Sequence, residues 1–319
     1  MYKYILKRLA MMICVLIGVT FVVYFIVDKT PGEPAAMILG NAATPESIAA
    51  LEEEMGLNDP LVVRYVRYMA GVLHGDFGQS YKTKLEVGAQ ILEKLPNTLL
   101  LSLGGMVVAI VIGIPVGIIC AKKQYSIFDN IAMGLTLLGT SAPPFWMGLV
   151  LIIIFSLGLG WFPSSNMGEG FFGLLHSLVL PSFTAGASCG SVLARMTRSS
   201  MLEVLNADYI TTARAKGLRE RIITIRHMFR NALIPVVTVA GLQFGILLGG
   251  AVMTETVFAW PGLGRYLLDA VYSKDVPAIL GSVIVISMML SIVNLLVDIL
   301  YAYIDPSIKS QYKAAGGRT

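Results

Sequence analysis

Residues 9–27 read LAMMICVLIGVTFVVYFIV, without one charged side chain. A helix rises 1.5 Å per residue, so about 20 apolar residues cross the hydrocarbon core of a bilayer, where no water can satisfy a backbone polar group. Five further runs of this kind lie at 98–121, 133–160, 175–194, 232–253 and 278–303, with Asp298 the one acid inside them. The chain therefore reads as an all-α integral membrane protein with six transmembrane helices. Its composition agrees: 14% of residues are charged, against roughly 25% in soluble domains.

Lys3, Lys7 and Arg8 precede the first run, as in a secretory signal. That run exceeds the roughly 7–15 residues of a signal's apolar region, and no small-residue cleavage site follows promptly, so it reads as a retained span. Six spans put both termini on one side, and Lys and Arg select which. The N-terminus, the 122–132 turn (Lys122, Lys123), the 195–231 loop with eight, and the tail (Lys309, Lys313, Arg318) together hold sixteen of the 24. The other segments hold eight, six of them in the 28–97 loop beside ten acids. Both termini and the 195–231 loop are thus expected in the cytoplasm, and the net charge of +4 reports topology rather than affinity for nucleic acid.

The loop at 28–97 carries helix signals of its own. In TPESIAALEEEMG, Thr44 is placed as N-cap, Pro45 at the first helical position and Gly56 as the stop. After NDP, Leu61, Tyr65, Tyr68 and Val72 recur at helical spacing while Arg64 and Arg67 project elsewhere, the pattern of a helix lying on a membrane surface. TKLEVGAQILEKL opens like a third helix, with Thr83 and Glu86 as a capping box. The loop reads as a small helical extracytoplasmic cap between helices 1 and 2, or as a docking platform for a substrate-delivery protein.

Several chemistries are disfavoured. GASCG matches a nucleophile elbow with Ser188 as nucleophile, but it sits in an apolar helical run and His74, His176 and His227 are scattered. Cys14, Cys120 and Cys189 fall in separate spans as small core residues, and no metal-ligand spacing occurs. No Gly-Lys dipeptide exists to build a Walker A loop, so ATP, if used, is bound by another subunit. Pro115, Pro143 and Pro144, with GASCG and GLQFGILLGG, mark closely packed and broken helices. Asp298 is read as a partner for the basic inner loops, with proton coupling as the alternative.

The stretch YITTARAKGLRERIITIRHMFRNALIP gathers Arg214, Lys216, Arg219, Arg221, Arg226 and Arg230, six of the 24 cations. Ile210, Ala213 and Gly217 share one narrow helical face, with Arg214 and Lys216 on other sides, and Gly217 suits a left-handed cap. A second helix follows, with Ile222, Ile225 and Phe229 expected on one face. Together they form a knob whose narrow Ala-rich tip would fit a groove in a partner, with arginines making salt-sensitive contacts around it. The alternative is a patch that fixes topology and touches lipid phosphates.

This stretch resembles the cytoplasmic coupling loop, or EAA loop, of ABC-importer permeases, in the form found in the dipeptide, oligopeptide and nickel family. GLNDPLVVRYVRYMAGVLHGDFGQSY, LPNTLLLS, GTSAPPFWMGL, TETVFAWPGLGRYLLDAV and DILYAYIDP are also similar to that family's B-type subunit, in order along nearly the whole chain. Thr211, Thr212 and Ala213 would take the Glu-Ala-Ala positions and Gly217 the glycine; Thr-Thr departs from the general pattern. The resemblance implies a type I ABC importer permease fold with the boundaries 1–27 (N-terminus and helix 1), 28–97 (extracytoplasmic loop), 98–308 (permease core) and 309–319 (tail). It implies a heterodimer with a C-type permease, two ATPase subunits that carry ATP and Mg, an external substrate-binding protein, and the cytoplasmic membrane of a prokaryote.

No catalytic role is expected of the chain itself. Coupling to the ATPase falls to Thr211, Thr212, Ala213, Lys216 and Gly217, with Arg214 and Arg219 in support. Glu255, at the outer end of the fifth span, is a candidate for the pathway, where a carboxylate would meet a peptide amine; Pro143 and Pro144 are others. A helix-end acid facing water is the alternative for Glu255. Three isolated histidines tilt the substrate to peptides over nickel. An ion-driven secondary transporter, with Asp298 as its relay, and a membrane scaffold remain as rival classes.

Overall fold

The computed structural model describes residues 2–29, 34–40, 43–54 and 56–304. Among them the chain runs through α1 (Tyr2–Lys29), α2 (Pro34–Leu39), α3 (Pro45–Glu54), α4 (Leu61–Leu73), α5 (Val87–Lys122), α6 (Ile127–Ser141) and α7 (Pro144–Leu151). It continues through α8 (Gly170–Leu205), α9 (Asp208–Ala215), α10 (Glu220–Ile222), α11 (Arg230–Val257), α12 (Leu263–Tyr272) and α13 (Val276–Ile304). Two π-helical segments, Ile152–Gly158 after α7 and Ile223–Phe229 after α10, extend their helices. The tail at 309–319 with Lys309, Lys313 and Arg318 lies outside the described residues, as do the side chains of Lys3, Lys7 and Asp298.

Among the described residues, five helical stretches are long and apolar enough to cross a membrane: Arg8–Lys29, Val87–Lys122, Gly170–Leu205, Glu220–Val257 and Val276–Val297. The run at 133–160 is not a straight span. Ile127–Ser141 and Pro144–Gly158 meet at 110°, so six crossings are reached only if this bent pair counts as one. The break has a steric origin. A proline disfavours helical geometry in the residue before it, and both Ala142 (ψ 127°) and Pro143 (ψ 137°) are extended, each preceding a proline. Pro144 then starts α7, where its missing N–H costs nothing.

The chain forms two compact units. One comprises Met1–Thr98 and Pro261–Ser291. In it Thr44 caps α3 as expected, accepting from Ser47 N at 3.2 Å, and Gly56 stops the helix region at φ +63°. Tyr65 of α4 packs on α1, sharing a 2.8 Å hydrogen bond with Thr20. Arg64 does not project away; it pairs with Asp28 of α1.

The capping box at Thr83 and Glu86 does not form. Glu86 instead bridges Gln79, Lys84 has φ +61°, and α5 starts at Val87, so the expected third cap helix is the beginning of one 36-residue helix. The cause is distant in sequence. Asp275, at the start of α13, accepts from Ser80 Oγ and from Lys82 N at 3.3 Å, which holds residues 78–86 in a tight hairpin. Val87 and Ile91 then pack with Leu263, Ala270, Ala278 and Ile279 in the unit's apolar core.

The second unit comprises Leu99–Trp260 and Ile292–Thr319. Its centre is the crossing of α5 and α8, where Gly105, Gly113 and Gly117 meet Gly186, Gly190 and Ala194, small residues four or eight apart on each helix. A Cβ on Gly113 would stand 2.5 Å from the Gly190 carbonyl oxygen, so only glycine permits this approach. Met106, Ala109, Cys189 and Leu193 fill the core beside Val236 and Leu247 of α11. Cys189 and Cys120 are the small core residues expected, whereas Cys14 is exposed on α1. Ser188 lies in the middle of α8, far from the strand-to-helix turn that a nucleophile elbow needs.

Candidate coupling site

α8 ends at Leu205, and the chain turns at Asn206 and Ala207 into α9. Asp208 in the first turn complements the positive end of the helix dipole, and Thr212 Oγ1 donates to the Asp208 carbonyl at 3.0 Å. The helix closes in a Schellman motif: Gly217 N donates to Arg214 O at 2.9 Å and Leu218 N to Ala213 O at 3.4 Å. Gly217 has φ +73°, and nothing lies within 4 Å of where its Cβ would stand. Glycine is required there by the backbone, not by crowding.

Ile210 is fully buried and Ala213 nearly so. They pack with Ala121 of α5, Met201 of α8, Ile223, Met228 and Ala232 in one apolar cluster. The face expected as the tip is therefore turned inward, onto the ends of the membrane helices. The exposed surface is the other one: Thr211, Thr212, Arg214, Lys216, Gly217 and Arg219. Arg214 Nε is braced across the corner by Glu220 Oε1 at 2.9 Å. Lys216 and Arg219 make no ion pair among the described residues.

The helix after the corner also differs from its expected register. In the π-helical segment Ile223, Thr224 and Met228 are buried and Ile225 is exposed, as is Ile222 at the end of α10. A hydrogen-bond step of five residues brings Ile223 and Met228 onto one side, which a 3.6-residue period does not. Asn231 at the start of α11 donates to Tyr209 Oη at 2.7 Å and to His227 O at 3.0 Å, tying α9 to α11.

Two of the eight cations counted in the 195–231 loop belong to α8 and turn onto α6. Arg195 Nη1 reaches Thr136 O and Thr140 Oγ1, each at 3.3 Å. Arg198 pairs with Asp129, a buried acid one turn past the Ser126 N-cap. Sequence reasoning missed this pair. A lone acid in a turn of like-signed lysines, followed by α8 arginines three apart, was the available signal.

The pathway candidates are not brought together. Pro143 borders an apolar cleft of about 980 Å³ between α5, α6, α7 and α8, lined also by Phe145, Trp146 and Phe183. Pro144 is exposed beside it. Glu255 does not line that cleft and does not face water; it is fully buried near the end of α11, where Trp260 N donates to its carbonyl at 2.8 Å.

A bundle of membrane helices crossing at glycines, with a helix–glycine–helix knob packed under three of them, defines a membrane transport subunit of a recognised kind. The chain belongs to the family described as "Binding-protein-dependent transport system inner membrane component", which matches residues 113–310. That family's N-terminal region, "Binding-prot-dependent transport system membrane comp, N-term", matches residues 1–102.

Among curated relatives, the chain is 43% identical to the dipeptide transport system permease protein DppB of Alkalihalophilus pseudofirmus, over 97% of this chain and all of that one. It is 39% identical to the oligopeptide transport system permease protein AppB of Bacillus subtilis, again over 97% of this chain and all of that one. Its fold is similar to that of the MetNI methionine ABC transporter in inward-facing conformations, with a TM-score of 0.56 and 18% identity over 67% of this chain and 96% of that one.

Proposed function

We propose that the chain is one membrane subunit of an ATP-driven importer of di- and oligopeptides, working by alternating access in the cytoplasmic membrane of a prokaryote. It pairs with a second, C-type permease. Two cytoplasmic ATPase subunits bind ATP and Mg, and an extracytoplasmic binding protein delivers the peptide. Both termini and the knob at 209–230 face the cytoplasm, and residues 28–97 face outward.

The observation that carries this reading is the two-sided build of α9. Its inner face, Ile210 and Ala213, is fused to the ends of α5, α8 and α11 through one apolar cluster. Its outer face, Thr211, Thr212, Lys216 and Arg219, is exposed and suits a cleft on an ATPase. Closure of that cleft moves the knob, and a close-packed cluster transmits the displacement to three membrane helices rather than absorbing it. Gly217 and the Arg214–Glu220 brace keep the corner stiff. Coupling thus assigns contact to the threonines, Lys216 and Arg219, and shape to Ala213, Arg214 and Gly217. The dipeptide and oligopeptide names of the relatives support peptides as the cargo.

The test is purification of the tagged chain with its genomic neighbours in mild detergent, beside uptake of a labelled dipeptide in cells. Recovery of a second permease and two ATPases, with uptake that stops on ATP depletion, is the expected result. A chain that purifies alone while uptake survives ATP depletion overturns it.

A further inference from the structure

α4 is built the wrong way round for a helix between protein and water. Its polar residues are Arg64, Tyr65, Arg67 and Tyr68, and the protein engages all four. Arg64 pairs with Asp28 of α1, and Arg67 with Asp59. The Tyr65 hydroxyl meets Thr20 Oγ1 at 2.8 Å and donates to Ile17 O at 3.1 Å, while the Tyr68 ring lies 6.4 Å from that of Tyr24. The other face carries no polar side chain. Val62, Val66, Ala70 and Leu73 follow at i, i+4, i+8 and i+11 with Val63 beside them, and all five are exposed, Leu73 to 83%. A surface helix in water shows the reverse order, apolar inward and polar outward.

The contacts that hold α4 also set its level. Thr20 and Ile17 lie within the Arg8–Lys29 span, nine and twelve residues before its end, or about 14 and 18 Å of helix rise. With Tyr24 and Asp28 they place α4 beside the last turns of that span. Phe21 and Phe25 on the same turns are exposed, and Phe21 meets Tyr65 edge-on at 5.2 Å. The exposed apolar surface of the span thus continues onto α4, and acyl chains cover such a surface on a membrane-crossing helix.

We propose that α4 is an interfacial membrane helix, with its outward face immersed among phospholipid acyl chains of the leaflet at the C-terminal end of α1. The exposed Arg67–Asp59 pair lies at headgroup level. Moving five apolar side chains out of water drives the immersion, and the helical backbone takes its own hydrogen bonds with it. Lipid then occupies the surface that a substrate-delivery protein would need, so residues 61–73 anchor the 28–97 region and are not its docking platform. This placement depends on α1 crossing the bilayer and not on which side faces the cytoplasm or what is carried.

The test is photocrosslinking of the complete complex in vesicles of phosphatidylethanolamine and phosphatidylglycerol, with benzoylphenylalanine in place of Val62, Val66 or Leu73. The same probe at the exposed Phe25 of α1 gives the level of a lipid-facing span, and at the exposed Glu53 of α3 that of a charged surface. Phospholipid adducts are expected by mass spectrometry at all three α4 positions at about the Phe25 level, roughly tenfold above Glu53, and unchanged when the substrate-binding protein is added. All three positions face away from the protein, so any one that assembles decides alone. A crosslink to another protein subunit, adducts no greater than at Glu53, or adducts lost on adding the binding protein would each overturn the proposal.

Discussion

Arg198 of α8 grips Asp129 of α6 with both arms of its guanidinium: Nε donates to Oδ1 and Nη2 to Oδ2, each at 2.7 Å. The Asp129 carboxylate is buried and also accepts from Tyr125 N at 2.9 Å, while Arg198 keeps about a fifth of its side chain exposed. The pair fastens the C-terminal part of α8, the helix that leads into α9, to the start of α6. Removing one partner strands a buried charge. Arg198→Ala is therefore expected to destabilise the subunit by about 3 kcal/mol. Replacing both, as Asp129→Leu with Arg198→Met, restores most of that loss, because an apolar pair carries no desolvation cost. Thermal unfolding of the four proteins in detergent gives the coupling; additive losses would exclude a specific pair.

The glycine crossing of α5 and α8 predicts a sharp contrast between substitutions. Gly113 has a carbonyl oxygen 2.5 Å from the place of its Cβ, whereas Gly249 has nothing within 4 Å. Backbone cannot step aside as a flexible side chain can. Gly113→Ala is expected to cost about 1–3 kcal/mol of overpacking, and Gly249→Ala about nothing in the isolated subunit. Equal melting points for the two variants would contradict the crossing.

The spans were legible because length and hydropathy are local properties, and the Schellman corner because Gly217 follows an amphipathic turn. What could not be read depended on partners remote in sequence. Thr83 and Glu86 have the spacing of a capping box, but Ser80 is held by Asp275, 195 residues away. Ala142–Pro143–Pro144 announced a break, yet the 110° bend belongs to packing: α6 lies on α8 at Gly139 and Ser191, and α7 meets Phe258 and Thr184 through Gly148. The spacing of Ile210 and Ala213 says that they share a face, not that the face points inward. Ile222 and Ile225 were placed on one face by an α-helical period, but from Ile223 onward the segment winds as a π-helix.

Tyr81 gives the first unit an alkaline limit. Burial, and next the charge of Asp275, push its phenol up to about 12 from an ordinary value of about 10. The folded state therefore holds the proton more tightly than the unfolded chain. The contribution is fully present below pH of about 10 and is lost as pH rises toward 12. Its ceiling is on the order of 2–3 kcal/mol. Tyr81→Phe cannot ionise, so it is expected to flatten the fall in melting temperature between those limits. An unchanged slope would show that Tyr81 is not the group responsible.

The corner at Gly217 separates shape from contact in the proposed coupling site. Its φ of +73° strains any other L-residue, by about 1–2 kcal/mol for Ala and less for Asn, which tolerates the left-handed region. No neighbour crowds the position, so the strain stays local and the Ile210–Ala213 cluster is untouched. Insertion and pairing of the permeases should survive in every Gly217 variant. Dipeptide uptake should fall in the order Asn, Ala, Asp, with Gly217→Asp inactive because it adds a charge on the exposed surface. Ala213→Glu acts differently, since a carboxylate forced into the apolar cluster prevents assembly altogether. Lys216→Ala leaves both fold and corner intact, so any loss of ATPase stimulation it causes reports contact alone and should shrink as salt is raised. Uptake at the normal rate by Gly217→Asp would remove α9 from the coupling path.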